Sequence, residues 1–170
     1  MNKLCLTMLL IGGVGFGAQA QDYKYHPIFI YNFSKYIEWP TPQANEDFTI
    51  WVVGNEQAYQ QMYSISEKKK TIKDQKLVVK KCASLDEVQR GNIVFITKDA
   101  QVTTERIMNE LEKKGILVIT EREGMAEKGS HINFITTNAS KIGFELNTTT
   151  TQNAGLKVAS ALTTLAAKTY

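Results

Sequence analysis

Short, continuously apolar segments constrain the fold of this chain more than any other feature. Residues 48–53, 93–96 and 116–120 are such segments, and stretches with helical periodicity separate them. Continuous apolar runs are typical of strands in a parallel sheet that is buried on both faces. Helices on the two faces bury such a sheet. The sequence therefore predicts an α/β fold with a mostly parallel sheet and flanking helices.

The elements at the two ends of the chain are also predicted. Residues 23–39 read as an aromatic helix with Pro27 in its first turn, and residues 131–136 and 142–146 alternate as an antiparallel hairpin would. From Thr148 we expect one continuous helix. Its inner side should carry the apolar residues Leu156, Val158, Ala161, Leu162 and Leu165.

The first residues have the pattern of a secretory signal peptide. Lys3 supplies the charge, residues 4–17 are apolar but too few to span a bilayer, and Ala18–Ala20 is a small-x-small cleavage site. The sequence predicts a cleaved leader at residues 1–20 and a single domain at 21–170. A location outside the cytosol argues against an enzyme that depends on ATP or NAD.

Net charge gives little indication of a polyanionic partner. Removal of Lys3 lowers the formal charge from +3 to +2, which argues against nucleic acid binding. The lysines of residues 68–81 are expected to form a solvated face, with an anionic surface as the alternative. No later apolar run is long enough to span a membrane, so a chain without membrane spans is expected.

Residues for metal binding or nucleophilic catalysis are sparse. After cleavage the histidines are His26 and His131 and the thiol is Cys82. A zinc site needs several such ligands, and no Gly-x-Ser-x-Gly elbow occurs, so we predict no metal site and no catalytic residue. His131 is expected to be structural or solvated. Cys82 is expected to be a buried, inert thiol, or an exposed thiol able to link two chains.

Carboxylates and one tryptophan leave alternatives open. Glu121, Glu123 and Glu127 follow a strand end, where two of them facing across a cleft could act as a glycosidase pair. We expect them instead to be solvated charges. Trp39 follows the aromatic helix, where it either anchors a partner or plugs the space between helix and sheet.

Two motifs resemble a known family. Residues 34–40 (SKYIEWP) with the strand at 48–54 resemble the start of the YfiR family. Residues 141–147 (KIGFELN) with 154–160 (AGLKVAS) are similar to its C-terminal motif, and the resemblance covers nearly the whole mature chain.

The resemblance implies a fold and a function. It implies a periplasmic protein with a single Rossmann-like three-layer domain, which acts as a regulator without catalysis or cofactor. Its implied role is repression of a membrane-bound diguanylate cyclase through that enzyme's periplasmic part. Some members carry cysteine pairs that form disulfides, whereas only Cys82 remains here.

The resemblance also implies small-molecule sensing in some members. For that role the strand ends at Gly54, Thr97, Thr120 and Asn147 are the expected ligand site. Lys157 is a further candidate for holding an anion, with an exposed helix position as the alternative.

Other functions and partners stay open at this point. A stand-alone small-ligand-binding protein is the alternative function, and a secreted hydrolase is the third. A sensor kinase could take the place of the cyclase, and the sequence does not decide whether the protein forms a homodimer.

Overall fold

A mostly parallel sheet with helices on its faces forms the fold. The computed structural model describes residues 23–40, 46–72, 74–88, 90–111 and 115–170. The predicted leader, residues 1–20, lies outside the described residues. The described part is mixed α/β, which confirms the predicted class and the mostly parallel sheet.

Eight of the described strands form one sheet, and two more pair separately. The strands are β1 (Ile37–Glu38), β2 (Phe48–Val53), β3 (Thr71–Ile72), β4 (Gln75–Cys82), β5 (Ile93–Ile96), β6 (Leu117–Thr120), β7 (Ile132–Thr136), β8 (Ile142–Leu146), β9 (Lys157–Val158) and β10 (Lys168–Thr169). The sheet order is β10-β8-β7-β6-β5-β2-β4-β3, while β1 pairs with β9. Strands β4, β2, β5, β6 and β7 are parallel neighbours, whereas β8 runs antiparallel to β7 and β3 antiparallel to β4.

Five α-helices are present in the described residues, with a short 3₁₀ turn at Leu85–Glu87. They are α1 (His26–Tyr36), α2 (Glu56–Lys68), α3 (Thr104–Leu111), α4 (Thr148–Asn153) and α5 (Ser160–Leu165). Pro27 lies in the first turn of α1, as predicted. None of the described helices combines the length and the apolar character that crossing a membrane requires.

Alternate residues of the central strands enter two separate cores. Ile50 and Val52 of β2 belong to the first core, which α1, α2 and α5 cover. Trp51 and Val53 belong to the second core, on the opposite face of the sheet, together with Ile107 of α3. This explains why β2 reads as a continuous apolar run: both of its faces are buried.

The predicted C-terminal helix is wrong as a single element. α4 ends at Asn153, and Gly155 has a φ of +76°, outside the helical region. Lys157–Val158 then pairs with Ile37–Glu38 as β9, and α5 follows. Leu162 is buried as expected, but Leu165 is 64% exposed.

Candidate functional site

The carboxyl ends of three parallel strands bring loop residues to one edge of the sheet. Val53 pairs with Ile96, and Ile96 pairs with Thr120, so the residues that follow them lie at the same level. After β2 the chain continues to β4 on one side, whereas after β5 it continues to β6 on the other. A crevice beside such a reversal is where open parallel sheets bind ligands. We therefore treat this edge as the candidate site.

A hydrogen-bonded group of three polar residues occupies the β2–β5 reversal. The Asn55 backbone N–H donates to Thr97 Oγ1 at 3.0 Å, and its Nδ2 donates to Asp99 Oδ2 at 2.9 Å. The Thr97 hydroxyl donates to Asp99 Oδ1 at 2.5 Å. Burial alone would raise the pKa of Asp99, but the hydrogen bonds from Thr97 and Asn55 lower it overall. Asp99 is therefore an ionised acceptor at neutral pH.

Gly54 explains how closely the two loops approach. Its φ is +102°, and a Cβ there would lie 2.4 Å from Thr97 Oγ1 and 2.9 Å from Ala100 Cβ. A side chain at position 54 has no room. Of the predicted ligand residues, Gly54 and Thr97 are thus brought together, with the Thr97 hydroxyl already engaged by protein atoms.

Glu121 is a buried carboxylate at the same edge, after β6. Its side chain is 1% exposed. Oε1 accepts hydrogen bonds from the Tyr23 hydroxyl at 2.6 Å and from the Lys98 backbone N–H at 2.7 Å. Oε2 lies 3.4 Å from His26 Nε2. Burial and the hydrogen bond to Glu121 raise the pKa of Tyr23, so its phenol stays protonated and acts as a donor.

The expectation that Glu121 is a solvated charge is wrong, whereas Glu123 and Glu127 are exposed. The alternation of side chains along β6 indicates that Glu121 is buried. Because side chains alternate along a strand, Glu121 follows Thr120 back to the side of Ile119, which belongs to the first core. A glutamate on that side of a buried strand end lies beneath α1 rather than in water.

His26 connects this carboxylate to the aromatic part of the first core. Its ring stacks on Phe95, with centroids 5.8 Å apart, and meets the edge of Phe134 at 4.6 Å. Nδ1 is buried and has no hydrogen-bond partner among the described residues. His26 begins α1, so the interaction with Glu121 fixes the start of that helix on the sheet edge.

Thr120 and Asn147 do not join the Gly54–Thr97 group. Thr120 Oγ1 lies 2.8 Å from both Ser130 Oγ and Asn133 Oδ1, in a buried network on the opposite side from Glu121. Asn147 follows β8, which runs antiparallel, and so it lies beside His131 rather than at the carboxyl edge of the parallel strands. Its side chain caps α4 by accepting from the Thr150 N–H and donates to the Ala126 carbonyl.

The remaining two predicted site residues lie in and beside the β1–β9 pair. Lys157 is exposed on β9, opposite Glu38, rather than on a helix. Trp39 is half-buried: its Nε1 donates to the Asn92 carbonyl at 3.1 Å and its ring meets Phe48 edge-on at 5.2 Å. Both contacts hold the Trp39 ring against the sheet.

His131, directly before β7, and Cys82, at the end of β4, are both buried. His131 is fully buried and its Nδ1 accepts from the Val118 backbone N–H at 2.9 Å. Burial lowers its pKa to about 4. Cys82 is 2% exposed, and burial raises the pKa of its thiol to about 11. The structure therefore favours the inert thiol over one that links chains.

The carboxylates at the sheet edge contact other protein groups. Within the described ranges, no group of three or more His, Cys, Asp or Glu side chains could hold a metal ion. The Glu121 carboxylate is engaged by Tyr23, Lys98 and His26, and Asp99 by Thr97 and Asn55. These contacts join the loops after β2, β5 and β6 to one another and to the start of α1.

Comparison with known proteins identifies the family. The model of the YfiR/HmsC-like family matches residues 23–167, so the chain belongs to that family. The family is periplasmic, regulatory and non-catalytic. No curated protein matches the chain.

A solved structure supports the fold. It is described as a conserved domain protein from Vibrio cholerae and superposes with a TM-score of 0.50 at 12% identity. The match covers 87% of this chain but only 60% of that one. Similarity at this identity shows the fold alone.

Proposed function

We propose that this protein is an exported regulator that binds the periplasmic domain of a membrane-bound diguanylate cyclase and represses it. The observation that carries the proposal is the match to the YfiR/HmsC-like family over residues 23–167. The carboxylates at the sheet edge are engaged by protein atoms, which supports a role without turnover. We propose that the protein has no catalytic activity of its own.

The proposed location rests on the family and on the leader. The family is periplasmic, and residues 1–20 have the pattern of a cleaved signal peptide. We also propose the Rossmann-like three-layer arrangement that the family resemblance implies. Its support is the division of β2 side chains between two cores on opposite faces of the sheet.

Repression requires a preference between two conformations of the cyclase. A bound protein can shift such an equilibrium only by the ratio of its affinities for the two states. A regulator that binds the inactive state about 100-fold more tightly lowers the ratio of active to inactive cyclase by up to about 100-fold. Loss of the regulator then raises cytoplasmic cyclic di-GMP.

Deletion of the gene tests this function. Cyclic di-GMP in the native host should rise, and the full-length chain supplied in trans should restore the original level. A second deletion, of the partner cyclase gene, should abolish the rise. If cyclic di-GMP and attachment are unchanged in the deletion strain, the regulator is excluded and a stand-alone ligand-binding protein becomes the leading function.

One observation favours that second function. The Asn55–Thr97–Asp99 group lies at the strand-order reversal, where parallel sheets bind ligands. Thermal shift of the purified protein against panels of amino acids, sugars and nucleotides tests it. A stabilisation that Asn55→Ala abolishes would support binding there.

A further inference from the structure

The exposed large apolar side chains of the described residues lie on three helices or, for Tyr25, directly before one of them. They are Tyr25, Ile28 and Tyr36 at the two ends and on the outside of α1, Tyr63 on α2, and Leu165 on α5. All three helices cover the first core, on the same face of the sheet. On the α3 face, no described large apolar residue reaches this exposure.

The outer side of α1 carries the densest part of this surface. Tyr25, Ile28, Asn32 and Tyr36 follow one another at spacings of three and four residues, which places them in one stripe along the helix. The opposite side of the helix, with Ile30 and Phe33, enters the first core. We call the stripe, together with Tyr31 and Lys35, the α1 outer face.

The charge of the α1 outer face is positive. α1 itself contains no acidic residue, and Lys35 lies in its last turn. The Lys35 ammonium lies 4.6 Å from the centroid of the Tyr31 ring, and Lys69 of the adjoining segment lies 5.9 Å from the same ring. Lys24 lies 5.5 Å from the Tyr25 ring. Aromatic rings and ammonium groups are thus combined in one stripe.

We propose that the α1 outer face docks an acidic, amphipathic helix of the partner's periplasmic domain. The inference rests on the proposed function and adds the surface and the chemistry of the partner. A straight stripe on a helix packs against a second helix, whose apolar side chains fit between Tyr25, Ile28 and Tyr36. Carboxylates at the rim of that helix complement Lys35 and Lys69 and steer the encounter.

Two other occupants fit less well. A second copy of the chain would bring the lysines of one face against those of the other. A lipid surface needs apolar side chains that insert into it, whereas Tyr25, Ile28 and Tyr36 are between 37% and 53% exposed, so that about half of each is already covered by the domain.

Site-specific photo-crosslinking of the full chain in the native host tests the proposal. The crosslinker p-benzoylphenylalanine replaces Ile28 in one strain and Glu105, exposed on α3, in the control strain. Mass spectrometry then identifies the crosslinked peptide. We expect Ile28 to crosslink to an acidic, amphipathic segment of a membrane signalling protein, and Glu105 to give no such adduct.

A charge variant tests the stated chemistry. Lys35→Glu should reduce the Ile28 crosslink about tenfold, and a Glu→Lys change in the captured segment should restore it. Lys128 is an exposed lysine outside the α1 outer face, and Lys128→Glu should leave the crosslink unchanged. Circular dichroism confirms folding of each variant, and Tyr25→Ser provides a second, uncharged change on the same face.

The outcomes separate this surface from the proposed function. The α1 surface would be overturned if Ile28 crosslinked only to phospholipid or to a second copy of this chain. It would also be overturned if position 105 gave the same adduct, or if Lys35→Glu left the Ile28 crosslink unchanged. If the folded surface variants keep cyclic di-GMP at the original level while the gene deletion raises it, the surface is wrong and the function stands. An unchanged level in the deletion strain contradicts the function itself.

Discussion

Glu121 and Arg122, adjacent in the chain, both bind the loop that follows β5. Glu121 binds a backbone N–H group of the loop, and Arg122 binds its backbone carbonyls. The Glu121 carboxylate accepts from the Lys98 N–H at 2.7 Å. The Arg122 guanidinium donates to the carbonyls of Lys98, Val102 and Ala100, the first two at 3.0 and 2.9 Å. Because Glu121 also contacts Tyr23 and His26, the loop after β5 and the start of α1 share one buried anchor.

Removal of the Glu121 carboxylate should destabilise the protein strongly. Glu121→Ala should lower the free energy of unfolding by about 3–5 kcal/mol, since it leaves buried hydrogen-bond donors and His26 without their partner. Urea denaturation followed by circular dichroism measures the change. Glu123→Ala, at an exposed position, is the control and should stay within about 0.5 kcal/mol of the parent. Equal effects in the two variants would contradict the buried anchor.

Substitution of two glycines distinguishes the cost of backbone strain from the cost of a steric clash. Gly54 and Gly124 both have positive φ, but a Cβ at Gly54 would meet Thr97 Oγ1 at 2.4 Å, whereas one at Gly124 has nothing within 4 Å. Gly124→Ala should cost about 1 kcal/mol from conformation alone. Gly54→Ala should cost about 1–3 kcal/mol more, because the two loops must move apart. Similar losses in the two variants would mean that the loops have room to adjust.

The sheet could be predicted from sequence because the residues of each central strand indicate that both of its faces are buried. Residues 48–53 are apolar except for Thr49 and form β2 with the predicted bounds, and the apolar residues 93–96 form β5 inside the predicted range 92–97. A strand buried on both faces needs apolar residues at every position, so its pattern is local.

The C-terminal region could not be predicted in the same way. Residues 157 and 158 form β9 only because β1, far away in the sequence, offers Ile37 and Glu38 as partners. The apolar residues around them fit a helical period, and no local signal other than Gly155 marks the break. The alternation of β6 indicates the burial of Glu121, but charged residues follow it, and its partners Tyr23 and His26 come from the other end of the domain.

Phe144 should contribute to the first core as strongly as its burial indicates. It is 3% exposed and its ring lies 4.9 Å from Phe33 and 6.4 Å from Phe29. Phe144→Ala should lower the free energy of unfolding by about 3–5 kcal/mol. Leu165→Ala, at a position 64% exposed, should change it by less than about 0.5 kcal/mol. A loss below about 1 kcal/mol for Phe144→Ala would contradict its place in the core.

Export should remove the first twenty residues. We expect protein isolated from the cell envelope to begin at Gln21, because Ala18 and Ala20 give the small residues that signal peptidase requires. Intact-mass measurement checks the start. Replacement of both alanines by Glu should block cleavage and leave the leader attached. A parent protein that retains Met1 would contradict both the leader and the proposed location.

The stability of the protein should fall in mild acid because of His131. Its pKa is about 4 in the folded state, against an ordinary value near 6.5. Between these values the unfolded chain binds more protons than the folded one, so stability is complete above pH ~6.5 and is lost as the pH falls towards 4. The loss from this one group should be about 3 kcal/mol.

His131→Asn isolates that contribution. The Asn Oδ1 can accept the hydrogen bond from the Val118 N–H that His131 Nδ1 accepts in the parent. The Asn side chain does not titrate. The unfolding free energy of each protein is measured from pH 7 to pH 4. Over this range the variant should gain about 3 kcal/mol in stability relative to the parent, because only the parent loses the contribution of His131. Carboxylates and His26 are present in both proteins, so their contributions largely cancel. A difference that stays constant with pH would show that His131 is not held in its neutral form.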